Sequence, residues 1–224
     1  MTIKIYEEME QGSDEWIAAR CGVLTASEMK NVITAKTLQF SKSKEAKMHA
    51  YELAAQRINN YVEPQYVGDA MLRGEEEETL ALDLYDENYA AIKVVGFVTN
   101  DRHGPKLGFS PDALVGSDGM VEVKSRIQKY QVQTIADGIM QDDFAIQVQT
   151  GMLVAERDWC DFLSYSGGMP MQRLRIFPDP KVQAAIIEAA QIFEEQVKDI
   201  IDRYNLNSKT LIPTERRVEE EMVI

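Results

Sequence analysis

The alternation of apolar and polar positions divides the chain into helices at both ends and strands in the middle. Around Thr25-Ala26-Ser27-Glu28 the spacing of a capping box precedes an apolar-periodic segment and predicts a helix start with exposed backbone N–H groups. Longer helices are predicted from about Ala46 to Asn59 and from about Asp69 to Asn88, and the segment Phe40 to Lys47 reads as a mobile basic loop. On the second of these helices Met71, Glu78, Leu82, Tyr85 and Tyr89 fall on one arc at 3.6 residues per turn, so Glu78 faces inward among apolar neighbours. Leu80 and Leu84 fall on the other side, so this inward face is not unique.

The centre has a different period. Val94 to Val98, Leu107 to Val115 and Met120 to Val123 are short β-favouring runs. Turn chemistry at residues 100–104 and 116–119 separates them, which predicts a three-stranded antiparallel meander. Helical spacing returns from Asp142 to Ala155, strands are expected over Trp159 to Tyr165 and Arg173 to Phe177, and Asp179-Pro180 opens an amphipathic helix that ends near Asn205. Together these elements predict an α/β fold, a mixed central sheet flanked by helices. No repeat or linker divides the chain, so residues 1–206 are expected to form one domain and 207–224 a flexible C-terminal tail.

Composition narrows the function classes. No apolar run approaches the roughly 18 residues of a membrane span, and the N-terminus lacks the apolar stretch of a signal peptide, so a soluble, cytoplasmic protein is expected. Cys21 and Cys160 stand far apart, outside any zinc spacing, and read as two buried thiols. His49 and His103 are too isolated for a metal site or triad and are assigned to a helix surface and a turn. Trp16 and Trp159 read as packing residues. The formal net charge of −13 disfavours a nucleic-acid partner at first sight. Its distribution matters more. Lys30, Lys36, Lys42, Lys44 and Lys47 face Glu45 alone in their stretch; Lys124, Arg126 and Lys129 form a second basic stretch, and Arg173 with Arg175 a third. A basic groove inside an acidic exterior and an ordinary solvated surface both fit this scatter.

The chemistry lies between Ser110 and Lys124. Glu122 and Lys124 share one strand face while Val121 and Val123 take the other. If the turn centres on Ser117, antiparallel pairing brings Asp112 opposite Glu122 or its neighbour. Two such carboxylates repel unless a cation lies between them, and hard oxygen ligands select magnesium or manganese. With a lysine beside them, this is the equipment of phosphodiester hydrolysis. The same spacing also fits an ordinary amphipathic strand with Asp112 in a turn.

Resemblance over most of the chain separates these readings. Ser110-Pro111-Asp112 followed by Glu122-Val123-Lys124 resembles the PD-(D/E)XK nuclease core of restriction-endonuclease-like folds. The segments Asp14 to Glu28, Arg73-Gly74 with Glu78, Phe109 to Asp112, Glu122 to Lys124 and Ile146 to Gln149 resemble, in this order, the phage lambda exonuclease family, also called the YqaJ-like viral recombinases. The resemblance implies a 5′-to-3′ exonuclease on duplex DNA ends, a toroidal homotrimer and a single-strand annealing protein as partner. It implies Asp112, Glu122, the main-chain carbonyl of Val123 and Glu78 as ligands of Mg2+, two ions per site with Mn2+ as a substitute, and Lys124 as the catalytic lysine. Arg20, Ser27, Ser110 and Gln147 match residues that hold a terminal 5′-phosphate, and Lys36, Lys42 and Lys44 are candidates for tracking DNA. Glu75, Glu76 and Glu77 read as a solvated acidic run. Two alternatives remain: an endonuclease or repair nuclease with the same core, and a DNA-end-binding recombination factor without hydrolysis.

Overall fold

The computed structural model describes residues 2–64 and 68–216. The chain begins with β1 (Ile3–Tyr6), α1 (Asp14–Arg20), β2 (Leu24–Thr25), the single turn α2 (Met29–Val32) and a ribbon of β3 (Ile33–Thr34) and β4 (Gln39–Phe40). Two long helices follow, α3 (Lys44–Asn59) and α4 (Asp69–Asn88). The middle holds β5 (Ile92–Lys93), β6 (Phe97–Asn100), β7 (Leu107–Phe109), β8 (Ala113–Val115) and β9 (Gly119–Ser125). After these come α5 (Gln128–Asp137), α6 (Asp142–Ala155), β10 (Trp159–Tyr165), β11 (Gln172–Ile176) and α7 (Pro180–Asn207).

Five strands form a mixed sheet in the order β11-β10-β9-β8-β5, in which β9 and β10 run parallel and the other neighbours antiparallel. A second sheet has the order β1-β6-β7-β2. The expected meander is therefore corrected: residues 107–115 are not one strand but two, β7 and β8, in different sheets. Pro111 explains the break, because it lacks the N–H that a continuous ladder needs and bends the chain where Ser110 and Asp112 flank it.

Helices cover both faces of the five-stranded sheet. On one face Ala81, Leu82 and Tyr85 of α4 pack against Ala113, Val121, Val123 and Leu163. On the other, Ile146 and Met152 of α6, Phe193 and Val197 of α7 and Leu53 of α3 enclose Met120 and Phe162. The alternation expected for β9 is thus realised, with Val121 and Val123 on the α4 side. On α4 the inward stripe is narrower than the periodic arc, since Met71 and Tyr89 stay about half exposed while Leu82 and Tyr85 are buried. Gly151 allows α6 to lie close on β7, because a Cβ there would come within 2.8 Å of the Phe109 ring.

Several local expectations change. Ser43 accepts a hydrogen bond from the Ala46 N–H at 3.1 Å and starts α3 at Lys44, so the basic loop shrinks to residues 41–43 and Lys44 is helical. At Thr25 only half of a capping box forms. Glu28 reaches back to the Thr25 N–H at 3.1 Å and its hydroxyl at 2.6 Å, but Thr25 pairs with Gly108 in a ladder and the helix begins only at Met29. His49 lies buried rather than on a helix surface, its ring 5.5 Å from that of Phe193, because the inner stripe of α3 packs on α7. His103 occupies an exposed turn as expected. Cys160 is buried, but Cys21 is only partly so. Helix α7 starts at Pro180, capped by Asp179, and extends to Asn207; of the expected tail, residues 217–224 lie outside the described residues.

One buried charge ties the sheet to α4. The Asp161 carboxylate on β10 is fully buried and accepts from Tyr85 Oη at 2.7 Å, from Arg175 Nε and Nη2 at 2.8 Å each, and from Arg173 at 3.2 Å. The third basic stretch is therefore spent on neutralising Asp161. Burial pushes the Asp161 carboxyl up, but the hydrogen bonds from Arg175 and Tyr85 and the two guanidinium charges hold it below the ordinary range. A depressed folded value stabilises the protein above the unfolded pKa and loses that contribution as pH falls through the folded value. Asp161→Asn is expected to cost about 3 kcal/mol at neutral pH, the low end for breaking a buried pair because both guanidiniums remain partly hydrated. In denaturant unfolding measured from neutrality down to below about pH 4, the difference from the parent protein should shrink; a constant difference would contradict the assignment.

Candidate active site

The bend at Ser110-Pro111-Asp112 is held from outside the strands. The Gln11 side-chain amide donates to the Pro111 carbonyl at 3.0 Å and to that of Val95 at 3.3 Å. Beyond the bend, β8 and β9 pair as Ala113 with Val121, Leu114 with Met120 and Val115 with Gly119, which centres the turn on Ser117. One step further along the register, Asp112 comes beside Glu122. Its Oδ2 accepts from the Val123 backbone N–H at 2.5 Å.

Of Asp112, Glu122 and Glu78, Glu122 is the least exposed, at 1%. Its Oε1 accepts from Lys124 Nζ at 2.6 Å and from the Gln147 side-chain amide. Its Oε2 is buried and has no hydrogen-bond partner among the described residues. Such an oxygen is costly to keep in a protein interior, and a cation is the partner that its charge calls for. Around it the acids strain against one another. Burial and the charges of Glu122 and Glu78 push the Asp112 carboxyl well above the usual range, and burial followed by the charge of Glu122 pushes Glu78 up as well. Burial works to lower the Lys124 ammonium, but Glu122 and Asp112 outweigh it and hold the group above its ordinary value.

These donors fit a divalent cation of the magnesium type. All are hard oxygens, and one of them is buried and unpaired. Among the described residues no three carboxylate, histidine or cysteine side chains form a ready ligand set, so a cation there needs backbone carbonyl or water ligands as well. Glu78, on α4, is half-buried and near enough for its charge to act on Asp112 and Lys124. Its neighbour Glu77 corrects the solvated-run expectation: it hydrogen-bonds the Ser125 hydroxyl and the Gly167 N–H at 3.3 Å, at 15% exposure.

A second corner forms where α1 meets the bend. Trp16 Nε1 donates to Ser110 Oγ at 2.9 Å, Arg20 Nη1 reaches the same oxygen at 3.4 Å, and the Arg20 guanidinium lies 4.3 Å from the centroid of the Trp16 ring. With Ser110 Oγ accepting from both, its own O–H has no acceptor among the described residues and is free to donate. Arg20 forms no ion pair among the described residues; burial lowers its pKa, opposed by the charge of Glu28. A desolvated guanidinium beside a free hydroxyl is suited to an anionic oxygen group.

Of the four residues assigned to phosphate, the structure joins Arg20 and Ser110. Ser27 lies in a turn rather than the first turn of a helix, because α2 is one turn long and starts at Met29; its Oγ is 3.2 Å from Thr25 Oγ1. Gln147 contacts Glu122. Lys36, Lys42 and Lys44 are exposed and without hydrogen bonds or ion pairs among the described residues. Trp16 is the residue that sequence reasoning missed. Its signal was the four-residue spacing to Arg20 on a helix, which stacks an indole under a guanidinium.

Comparison with known proteins bears on the fold and the family. The YqaJ-like viral recombinase domain matches residues 15–158. The fold superposes on an alkaline exonuclease from Laribacter hongkongensis with a TM-score of 0.77 and 29% identity, covering 89% of this chain and all of that one, and on the same enzyme in complex with dAMP with a TM-score of 0.78. A phage-related exonuclease from Haemophilus somnus 129PT, 14% identical with a TM-score of 0.58 over 81% of this chain and 96% of that one, shares the fold. No curated protein matches the chain. With helices on both faces of a mixed sheet and its acids on the β8–β9 hairpin, the chain has the restriction-endonuclease-like PD-(D/E)XK fold and belongs to the YqaJ-like viral recombinase family.

Proposed function

We propose that this protein is a metal-dependent exonuclease that degrades one strand of linear double-stranded DNA from a 5′-phosphorylated end, in the 5′-to-3′ direction, and leaves 3′ single-stranded overhangs for recombination by annealing. The observation that carries this reading is the buried, unpaired Oε2 of Glu122 beside Asp112 and Lys124. Likeness to an alkaline exonuclease supports it. Mg2+, or Mn2+ in its place, would be held by Asp112, Glu122, the Val123 carbonyl and Glu78, with room in the chemistry for two ions. When bound, the metal supplies Lewis acidity at the phosphoryl group and a water of lowered pKa.

The protein's own groups do the positioning. Gln147 and Lys124 fix Oε1 of Glu122 and thereby leave Oε2 as the free oxygen. The Val123 N–H fixes Oδ2 of Asp112. Lys124, held charged by Glu122 and Asp112, donates to phosphoryl oxygens as negative charge develops on them. Arg20 grips the terminal 5′-phosphate with charge-assisted hydrogen bonds, Ser110 donates its free hydroxyl, and the Trp16 ring supports the guanidinium. Only a strand end presents such a phosphate, which makes action end-dependent. A homotrimer around the duplex and a single-strand annealing protein as partner complete the proposal. Among the described residues no helix is long and apolar enough to cross a membrane.

Linear duplex with 5′-phosphate ends should be shortened in magnesium and spared in EDTA, while covalently closed circles survive; rapid cleavage of closed circles, followed on a gel, would favour the endonuclease alternative. Lys124→Ala is expected to lower hydrolysis by at least about 100-fold with end binding retained in a mobility-shift assay, and activity near the parent level would remove Lys124 from the chemistry. Arg20→Ala should reduce the preference for phosphorylated over hydroxyl ends in kcat/KM. An equal loss on both ends would place the phosphate corner elsewhere.

A further inference from the structure

The face of β9 that carries Glu122 and Lys124 does not end there. Side chains alternate along a strand, so Arg126 returns to that face two residues after Lys124. The backbone remains in the ladder at this point, since the Arg126 N–H donates to the Tyr165 carbonyl at 2.7 Å. The Arg126 guanidinium lies 4.8 Å from the centroid of the Phe144 ring and 4.9 Å from that of Tyr130, and Lys124 Nζ lies 5.8 Å from the same Phe144 ring. One aromatic side chain therefore connects the hydrolytic lysine to a second cation.

This cation is poorly satisfied. A guanidinium has five N–H donors, and Arg126 directs one of them to Gln141 Oε1 at a long 3.3 Å. Its Nε is buried with no hydrogen-bond partner among the described residues. Among the described residues no carboxylate forms an ion pair with it; burial lowers its pKa, opposed by the more distant charges of Tyr130 and Asp143. Other guanidiniums show what a purely structural arginine does in this protein: Arg57 forms two hydrogen bonds to Glu194 at 2.6 and 2.8 Å, and Arg175 forms two to Asp161. Arg126 has the position of a site residue and the unused donors of an anion-binding one.

We infer that Arg126 binds the backbone phosphate that follows the scissile one on its 3′ side. The inference rests on the exonuclease reading above. The terminal-phosphate corner is built on the β7–β8 bend and α1, whereas Arg126 lies past Lys124 at the end of β9, between Tyr130 of α5 and Phe144 of α6. The Arg20 corner thus joins the hairpin from the β8 side of β9, whereas Arg126 is hydrogen-bonded to Tyr165 on the β10 side, so a strand with its 5′ end at Arg20 and its scissile phosphate at the acids offers the following phosphate to Arg126. The Cα atoms of Lys124 and Arg126 are about 7 Å apart, two strand residues, a separation comparable to that of neighbouring phosphates. Beyond them Lys129 Nζ lies 4.7 Å from the Tyr130 ring centroid, and Tyr130 is 42% exposed. An aromatic side chain between cations suits the backbone and bases of a nucleic-acid strand.

The test places a single uncharged methylphosphonate at that 3′ position of a 5′-phosphorylated duplex and measures end binding in EDTA against salt concentration. With the parent protein the modification should weaken binding several-fold and make the slope of log K against log salt shallower by about 0.9, the loss of one phosphate contact. Arg126→Gln should do the same on unmodified DNA, the two changes together should be no worse than either alone, and Arg126→Lys should restore the slope. Should Arg126→Gln fail to fold, the methylphosphonate on the parent protein and on Arg126→Lys still decides. Losses that add, or a parent protein indifferent to the modification, would overturn the assignment while leaving an active exonuclease intact. A parent protein that neither binds nor shortens linear duplex would overturn both readings.

Discussion

A carboxylate enclosed in a sheet core is expensive unless its surroundings are arranged for it, and Glu122 sets that condition for the middle of this protein. One oxygen is met by Lys124 and Gln147, and the other is left bare. Each neighbour constrains an element. Lys124 must lie two residues further on the same strand, Gln147 requires α6 to rest close on the sheet, and the approach of α6 at Gly151 is permitted by the absence of a side chain there. The hairpin turn at Ser117 must have the register that carries Asp112 alongside.

The two faces of the five-stranded sheet answer the problem of buried charge differently. On the α4 side Asp161 is fully paired by Tyr85, Arg173 and Arg175 and serves to hold α4 and β11 on the sheet. Asp112 and Glu122 instead meet the charge of Glu78 from α4; burial, followed by repulsion among these acids, raises Asp112 and Glu78, and the pairing stays incomplete. The first arrangement is a satisfied ion cluster, and the second keeps one buried carboxylate oxygen without a partner among the described residues. Strand residues 121 and 122, one position apart in β9, stand on these opposite faces beside their parallel partners Asp161 and Phe162.

Charge on the whole chain says little about this division. The net charge is −13, yet three cations with unused donors, Arg20, Lys124 and Arg126, lie where α1, β9 and α5 meet the acids. A guanidinium held by an aromatic ring instead of a carboxylate keeps its donors free for an anionic partner. Trp16 serves Arg20 in this way, and Phe144 with Tyr130 serves Arg126.

Local chemistry was legible in the sequence wherever it acts over a few residues. The period of two on β9, the turn at Ser117, the Asp179-Pro180 cap and the bounds of α4 and α6 all follow from neighbouring side chains, and with them the meeting of Asp112, Glu122 and Lys124. The inward stripe of α3, which buries His49 against α7, depends on a helix far along the chain, as does the pairing of Arg173 and Arg175 with Asp161. The division of residues 107–115 between two sheets is set by partners distant in sequence, β6 and β2 on one side and β9 on the other. The same holds for the contact of Gln147 with Glu122 and for the unused donors of Arg126. Spacing specifies which face a side chain takes; only tertiary packing decides whether another group is waiting there, and at Glu122 Oε2 it left none among the described residues.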